Sequence, residues 1–282
     1  DVRKEALCPR CGSVVESDTV KTEAQAGRMG HQLYTVCTKI RRGGRRRGEW
    51  RFRTPTDQEL EAVKRAEERL REKLPEWEKQ GLVPTEPYPE NVSDTRPIQY
   101  GMPRWCDLFS PRQLLTHLTY LEKLLIEKQK LVNDVEGKSR VERDFVEAIV
   151  VYGAMVFDTC INYNTILCRW APDRTIIKAT MDMQAFPFKS SYAEFDHSIM
   201  LWPWAQSKTL DSLEELIRLM SKVQNDVEIY CNDSASIPLK TNTVDCIVVD
   251  PPYHANVMYG EISDFFYVWL KRTVGDLFPD WL

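Results

Sequence analysis

The sequence predicts an α/β fold: a sheet covered on both faces, joined to a small N-terminal module and to helical insertions. Three observations carry this. In the last quarter the order is helix, strand, strand, helix, and the strands "VEIYC" (227–231) and "VDCIVV" (244–249) are apolar runs of the kind buried on two faces. Two long helical stretches precede them. The first 54 residues have little helical periodicity and hold "CPRCG" and an arginine cluster. The divisions are therefore 1–54, 55–105 and 106–282, and there is no internal repeat.

At 282 residues, with 43% hydrophobic and 28% charged residues, the chain has the composition of a folded globular protein. Its longest apolar stretch, 145–161, is broken by Glu147 and Asp158 and is too short to span a bilayer, so no membrane partner is expected. The start, "DVRKEALCPRCG", has neither an initiator Met nor the apolar region of a secretory signal, so the chain is not expected to begin where its gene does. Most of the eight cysteines sit singly in apolar segments, which suits a reducing cytoplasm. The net charge of −4 hides "KIRRGGRRRGEWRFR" (39–53), with eight basic residues against Glu49 alone. Overall acidity does not exclude a polyanion partner.

Each element has its own warrant. Thr56 and Glu59 form a capping box ahead of a charged helical repeat, read as a mostly solvated spacer or lid. "GLVPTEPYPENVSDTRPIQYGMPRW" (81–105) is rich in Pro, Gly and turn formers and reads as an extended loop. Ser110 and Pro111 open a helix whose Leu114, Leu118, Leu121 and Leu125 share one core-facing side. The next helix, 140–163, is apolar nearly all round and is expected to be buried. Strand-like residues follow at 175–180, then a helix over 211–224 opened by a Ser212/Glu215 capping box. In the final helix, Phe265, Val268 and Trp269 are placed to pack on the sheet.

The chemistry concentrates where the second apolar strand ends, in Asp250-Pro251-Pro252-Tyr253. Functional loops of open α/β sheets lie at the carboxyl ends of strands. The prolines remove two N–H donors and leave a rigid turn of bare carbonyls, which together with Asp250 seek a donor. An exocyclic NH₂ of a nucleobase supplies two hydrogens, one for Asp250 and one for the Pro251 carbonyl. Engaging both frees the nitrogen lone pair for attack on an electrophilic methyl group. The Tyr253 ring offers a stacking surface to a base taken out of its duplex.

"VVDPPY" resembles the [DNS]PPY motif of S-adenosylmethionine-dependent amino-methyltransferases. More narrowly, "DPPYHANVMYGEISDFFYVWLKRTVGDLFPDWL", "EPYPENVSDTRPIQYGMPRWCDLFSPRQLL" and the early cysteine pair together resemble adenine-specific DNA methylases that carry a zinc ribbon. The resemblance implies a Rossmann-like methyltransferase sheet, present only in part, with a zinc-knuckle module. It implies Asp250, Pro251, Pro252 and Tyr253 as the amine-binding catalytic motif. Asp233, Ala235 and Asp250 become the cofactor-binding candidates, with Ser236 a neighbour of the same pocket. It further implies double-stranded DNA with a flipped adenine as substrate, restriction-modification or phage defence as setting, and defence-system proteins as partners. The family's glycine-rich cofactor loop is not found in 1–282, so the chain reads as a fragment or one half of a split enzyme. His254 also departs from the residue usual there.

Cys8 and Cys11 have the spacing of a zinc knuckle, with Gly12 permitting the turn, and Cys37 and His31 are the candidates for the remaining Zn²⁺ ligands. Beside them the arginine cluster is placed for phosphate contact, with Trp50 and Phe52 interleaved. Most aromatics of the segment around Tyr192 are read as core packing, Glu194 is given no catalytic role, and His117 and His197 are read as lone histidines rather than ligands. Cytosine N4 or an RNA base presents the same NH₂ geometry as adenine N6. A non-catalytic zinc-containing nucleic-acid-binding subunit, or an α/β domain in which the Pro-Pro turn is only a turn, stand as further alternatives.

Overall fold

The computed structural model describes residues 5–8, 10–40, 48–90, 92, 94–183, 185–189, 191–223, 227–230, 232–253 and 257–282. It mixes helices with three short antiparallel two-stranded ribbons. The first ribbon pairs β1 (Glu5–Leu7) with β2 (Val14–Glu16), and α1 (Ser17–Gln25) follows directly. The second pairs β3 (Val36–Ile40) with β4 (Glu49–Arg53). Most of the arginine cluster, residues 41–47, lies outside the described residues. Trp50 and Phe52 on β4 set their rings edge-on to Trp170, with centroids 5.1 and 5.7 Å away.

The α2 helix (Asp57–Lys79) starts on the expected capping box: Thr56 Oγ1 accepts from Glu59 N–H while the Glu59 carboxylate accepts from Thr56 N–H. It is less solvated than its charges suggest. Leu70 and Trp77 are buried against α4 (Pro111–Asp134), and the Trp77 indole donates to Glu122 at 2.8 Å. A few apolar residues at helical spacing are enough to seat one face of an otherwise charged helix.

The Pro-rich stretch is likewise part of the interior rather than a free loop. Tyr88 and Trp105 are almost fully buried, and Pro87 and Arg104 form a β-bridge that folds the stretch back on itself around a short α3 (Arg96–Gln99). Tyr88 donates its hydroxyl to Asp94 O at 3.0 Å, so the buried phenol is satisfied.

Helix α4 follows expectation, with Ser110 capping Gln113 N–H, Pro111 in the first turn, and Leu114, Leu118 and Leu121 buried. Helix α5 (Arg140–Tyr163) is capped by a Ser139/Glu142 box. Its burial is one-sided: Val150, Ala154, Phe157 and Ile161 are interior, whereas Val141, Phe145, Ile149 and Met155 face outward. Ribbon β5 (Arg169–Ala171) and β6 (Ile176–Lys178) comes next, agreeing with the strand-like residues read there.

A π-turn over His197–Leu201 then leads into α6 (Trp202–Met220). This helix starts well before Asp211, because Pro203 in the first turn favours a start there. Ser212 is therefore interior, its hydroxyl donating to Lys208 O at 3.0 Å instead of capping.

The two expected strands of the last quarter are not formed. Residues 227–230 and 244–249 pair with no strand, and Ile247, Val248 and Val249 are 78, 91 and 74% exposed. A two-faced buried strand needs hydrogen-bonded neighbours; among the described residues none runs beside these segments. The last helix, α7 (Tyr259–Val274), consequently packs on helices and not on a sheet. Its Phe265 and Trp269 meet Phe109, His117 and Phe157, with Phe109 and Phe265 stacked at 6.1 Å. No described helix is long and apolar enough to cross a membrane.

Candidate functional site

The Asp250-Pro251-Pro252-Tyr253 stretch precedes α7; residues 254–256 between them, including His254, lie outside the described residues. All four motif residues are exposed. Both prolines leave acceptors without donors, as their ring nitrogens require. Tyr253 N–H donates to Tyr259 Oη at 3.4 Å, tying the motif to the first residue of α7. Tyr253 itself remains 59% exposed.

The C-terminal part of α7 is anchored by polar contacts. Arg272 donates to Gly81 O, Val83 O and Val268 O and grips the Glu86 carboxylate with both terminal nitrogens. Further along, the buried Lys128 ammonium from α4 meets Thr273 O at 2.8 Å and the Asp276 carboxylate.

Asp233 and Ala235 belong to a separate turn. Asp233 Oδ1 accepts from Ala235 N–H at 2.9 Å, and Asp233 O accepts from Ser236 N–H at 2.8 Å. This is the Asx turn that an aspartate forms by itself. The whole 232–240 turn is exposed. As folded, the three cofactor candidates do not enclose a molecule the size of S-adenosylmethionine, and no hydrogen bond among the described residues joins Asp233 or Ala235 to Asp250.

Cys8 and Cys11 are brought together at the tip of the β1–β2 ribbon. Gly12, at φ +72°, makes the turn, and its N–H returns to Cys8 O at 2.9 Å. Cys11 Sγ lies 3.1 Å from Ser13 Oγ, and hydrogen bonds from the Ser13 hydroxyl and backbone, then from Cys8, lower its thiol to about 7. Cys37 sits on β3 opposite Phe52, its thiol raised by burial. His31 sits against Tyr192, with Nδ1 3.1 Å from the phenolic oxygen. Two thiols form half of a tetrahedral zinc site; no three Cys, His, Asp or Glu groups among the described residues lie close enough to hold an ion.

Several polar groups carry no motif and emerge only from packing. Arg112 forms a two-pronged pair with Glu194, at 2.9 and 2.8 Å, and Ser110 Oγ approaches the same carboxylate at 3.4 Å. His117, fully buried, points Nε2 at Asn164 O at 3.0 Å while Nδ1 has no partner, and burial lowers its pKa to about 3. Its position between Leu114 and Leu121 on the core face of α4 is the one signal that announces its burial. Asp158, on the apolar α5, is pushed up to about 8 by burial, with Oδ1 unpartnered.

No protein-family model, curated protein or solved structure matches the chain.

Proposed function

We propose that the chain is the DPPY-bearing part of an S-adenosylmethionine-dependent DNA methyltransferase acting on the N6 amine of adenine, with modification or phage defence as its setting. The observation that carries this reading is the exposure of all four residues of Asp250-Pro251-Pro252-Tyr253, with Tyr253 N–H donating to Tyr259 Oη at the first residue of α7. Asp250 and the Pro251 carbonyl accept the two amine hydrogens and Tyr253 stacks on the flipped base. When bound, S-adenosylmethionine supplies the electrophilic methyl group. Asp233, Ala235 and Asp250 line one side of the place it occupies.

The apolar exposure of 227–230 and 244–249 supports a Rossmann-like sheet completed by strands other than those described, which also carry the rest of the cofactor site. Cys8 and Cys11 supply two of four ligands to a structural Zn²⁺ that braces the basic module against DNA phosphates.

The test is incubation of the chain with labelled S-adenosylmethionine and unmodified double-stranded DNA, followed by nucleoside analysis. N6-methyladenine that disappears in Asp250→Ala supports the reading. N4-methylcytosine alone moves the substrate to cytosine. Salt-sensitive DNA binding with no transfer, even when the chain is supplied with the segment that carries the rest of the cofactor site, replaces the enzyme with a zinc-containing nucleic-acid-binding subunit.

A further inference from the structure

A cavity of about 280 Å³ lies between the N-terminal module and the helical core. It shares no residue with the DPPY turn or with Asp233 and Ala235. Ala24, Met29 and His31 of the N-terminal module line it together with Leu70 and Glu78 of α2. The floor is Met102, Phe109 and Leu114, all buried residues of the core.

The wall is held by a close approach rather than by side-chain packing. Gly101, at φ +74°, lies so near the end of α1 that a Cβ there would meet Ala24 O at 2.1 Å, and Gln25 donates across the same seam to Gln99 O at 3.2 Å. The space is thus framed by two backbones in contact, and it persists as a gap the module does not fill.

Its chemistry is uneven. The floor is apolar and the rim is charged, with Glu78, Arg104 and Asp107. Arg104 is occupied by Asp107, which accepts from its backbone N–H at 2.9 Å, its Nε at 3.2 Å and its Nη2 at 2.9 Å. Glu78 makes no side-chain hydrogen bond among the described residues. Glu78 also lies close enough to act on Arg104, and the three charged side chains together leave one net negative charge along an apolar hole. A pocket of this size, with a greasy base and an anionic lip, selects a single-ring or fused-ring apolar body bearing a protonated amine.

We infer that this cavity is a binding site for a small aromatic amine, independent of the DPPY turn. The amine head lies at Glu78, beside the Tyr100 ring that also lines the space, and the ring rests on Phe109 and Leu114.

Titration of the full chain with tryptamine, indole and indole-3-acetate, followed by calorimetry or by NMR of the Met29 and Met102 methyls, tests this. Tryptamine binding is expected to be saturable and tightest, indole weaker and the acetate weakest. Glu78→Gln, an exposed substitution, brings tryptamine about two- to fivefold closer to indole. Met29→Trp, at the rim, fills the mouth and removes binding of all three while leaving the melting temperature unchanged. No saturable binding by any of the three overturns the site. Equal binding of amine and acetate, or binding indifferent to Met29→Trp, overturns its chemistry or its place.

Discussion

Arg272 and Glu86, 186 residues apart in sequence, are joined by two parallel hydrogen bonds of 2.9 and 3.0 Å. The same guanidinium satisfies the carbonyls of Gly81 and Val83, so one side chain sews the C-terminal part of α7 to the stretch after α2. Arg272→Leu leaves a carboxylate and several carbonyls without donors. A loss of about 2–4 kcal/mol in urea unfolding is the expected outcome. Arg272→Lys recovers only part of it, because an ammonium cannot reproduce the planar fork. Equal stability of wild type and Arg272→Leu would refute the anchor.

Gly101 predicts a local effect. A Cβ would collide with Ala24 O and would also strain a backbone at φ +74°. Gly101→Ala should cost more than about 1 kcal/mol. Hydrogen exchange is expected to accelerate first in α1, since this is the seam it rests on, and unchanged protection of residues 17–25 would contradict the assignment.

Cys11 should alkylate as a thiolate near neutrality. Its thiol is lowered to about 7, chiefly by Ser13, so iodoacetamide modification should rise through that pH. Ser13→Ala moves the midpoint upward and slows the reaction at pH 7. A midpoint unaffected by Ser13→Ala would show that the Ser13 contact is not the cause.

His117 makes the fold sensitive to acid. Its folded pKa of about 3 lies below the ordinary value of 6.5, so the unfolded chain binds the extra proton between those limits. Stability is full above about 6.5 and falls as pH drops towards 3, by up to about 1.4 kcal/mol per pH unit. His117→Gln, which keeps a polar side chain facing Asn164 O, should flatten that slope.

Asp158 acts in the opposite direction. Its folded pKa of about 8 lies above the ordinary 3.8, so the folded chain keeps a proton that the unfolded chain releases. Stability from this group is full below about 3.8 and is lost as pH rises to 8. Asp158→Asn removes the titration and should raise stability at pH 7 by about 1–3 kcal/mol. Between pH 3.8 and 6.5 the two groups offset one another, so the single variants should show pH dependences that the wild type conceals.

Local signals were legible where a residue acts on its own neighbourhood. The box at Thr56, the cap at Ser110, the leucine face of α4 and the Gly12 turn beside Cys8 and Cys11 all depend on atoms within a few residues, and each formed as read. The start of α6 was misread because Ser212 and Glu215 have the spacing of a cap wherever they fall in a helix.

By itself, then, the sequence determined the helices α2, α4 and α5 and the caps at Thr56 and Ser110, because propensity and capping are properties of adjacent residues. The tertiary structure decided everything that needs a distant partner. It drew Tyr88 and Trp105 into the core, paired Arg112 with Glu194, buried His117 and withdrew the carboxyl of half-buried Asp158 from water. It also left Ile247, Val248 and Val249 in the open, since an apolar run becomes a strand only when another backbone lies alongside to take its hydrogen bonds.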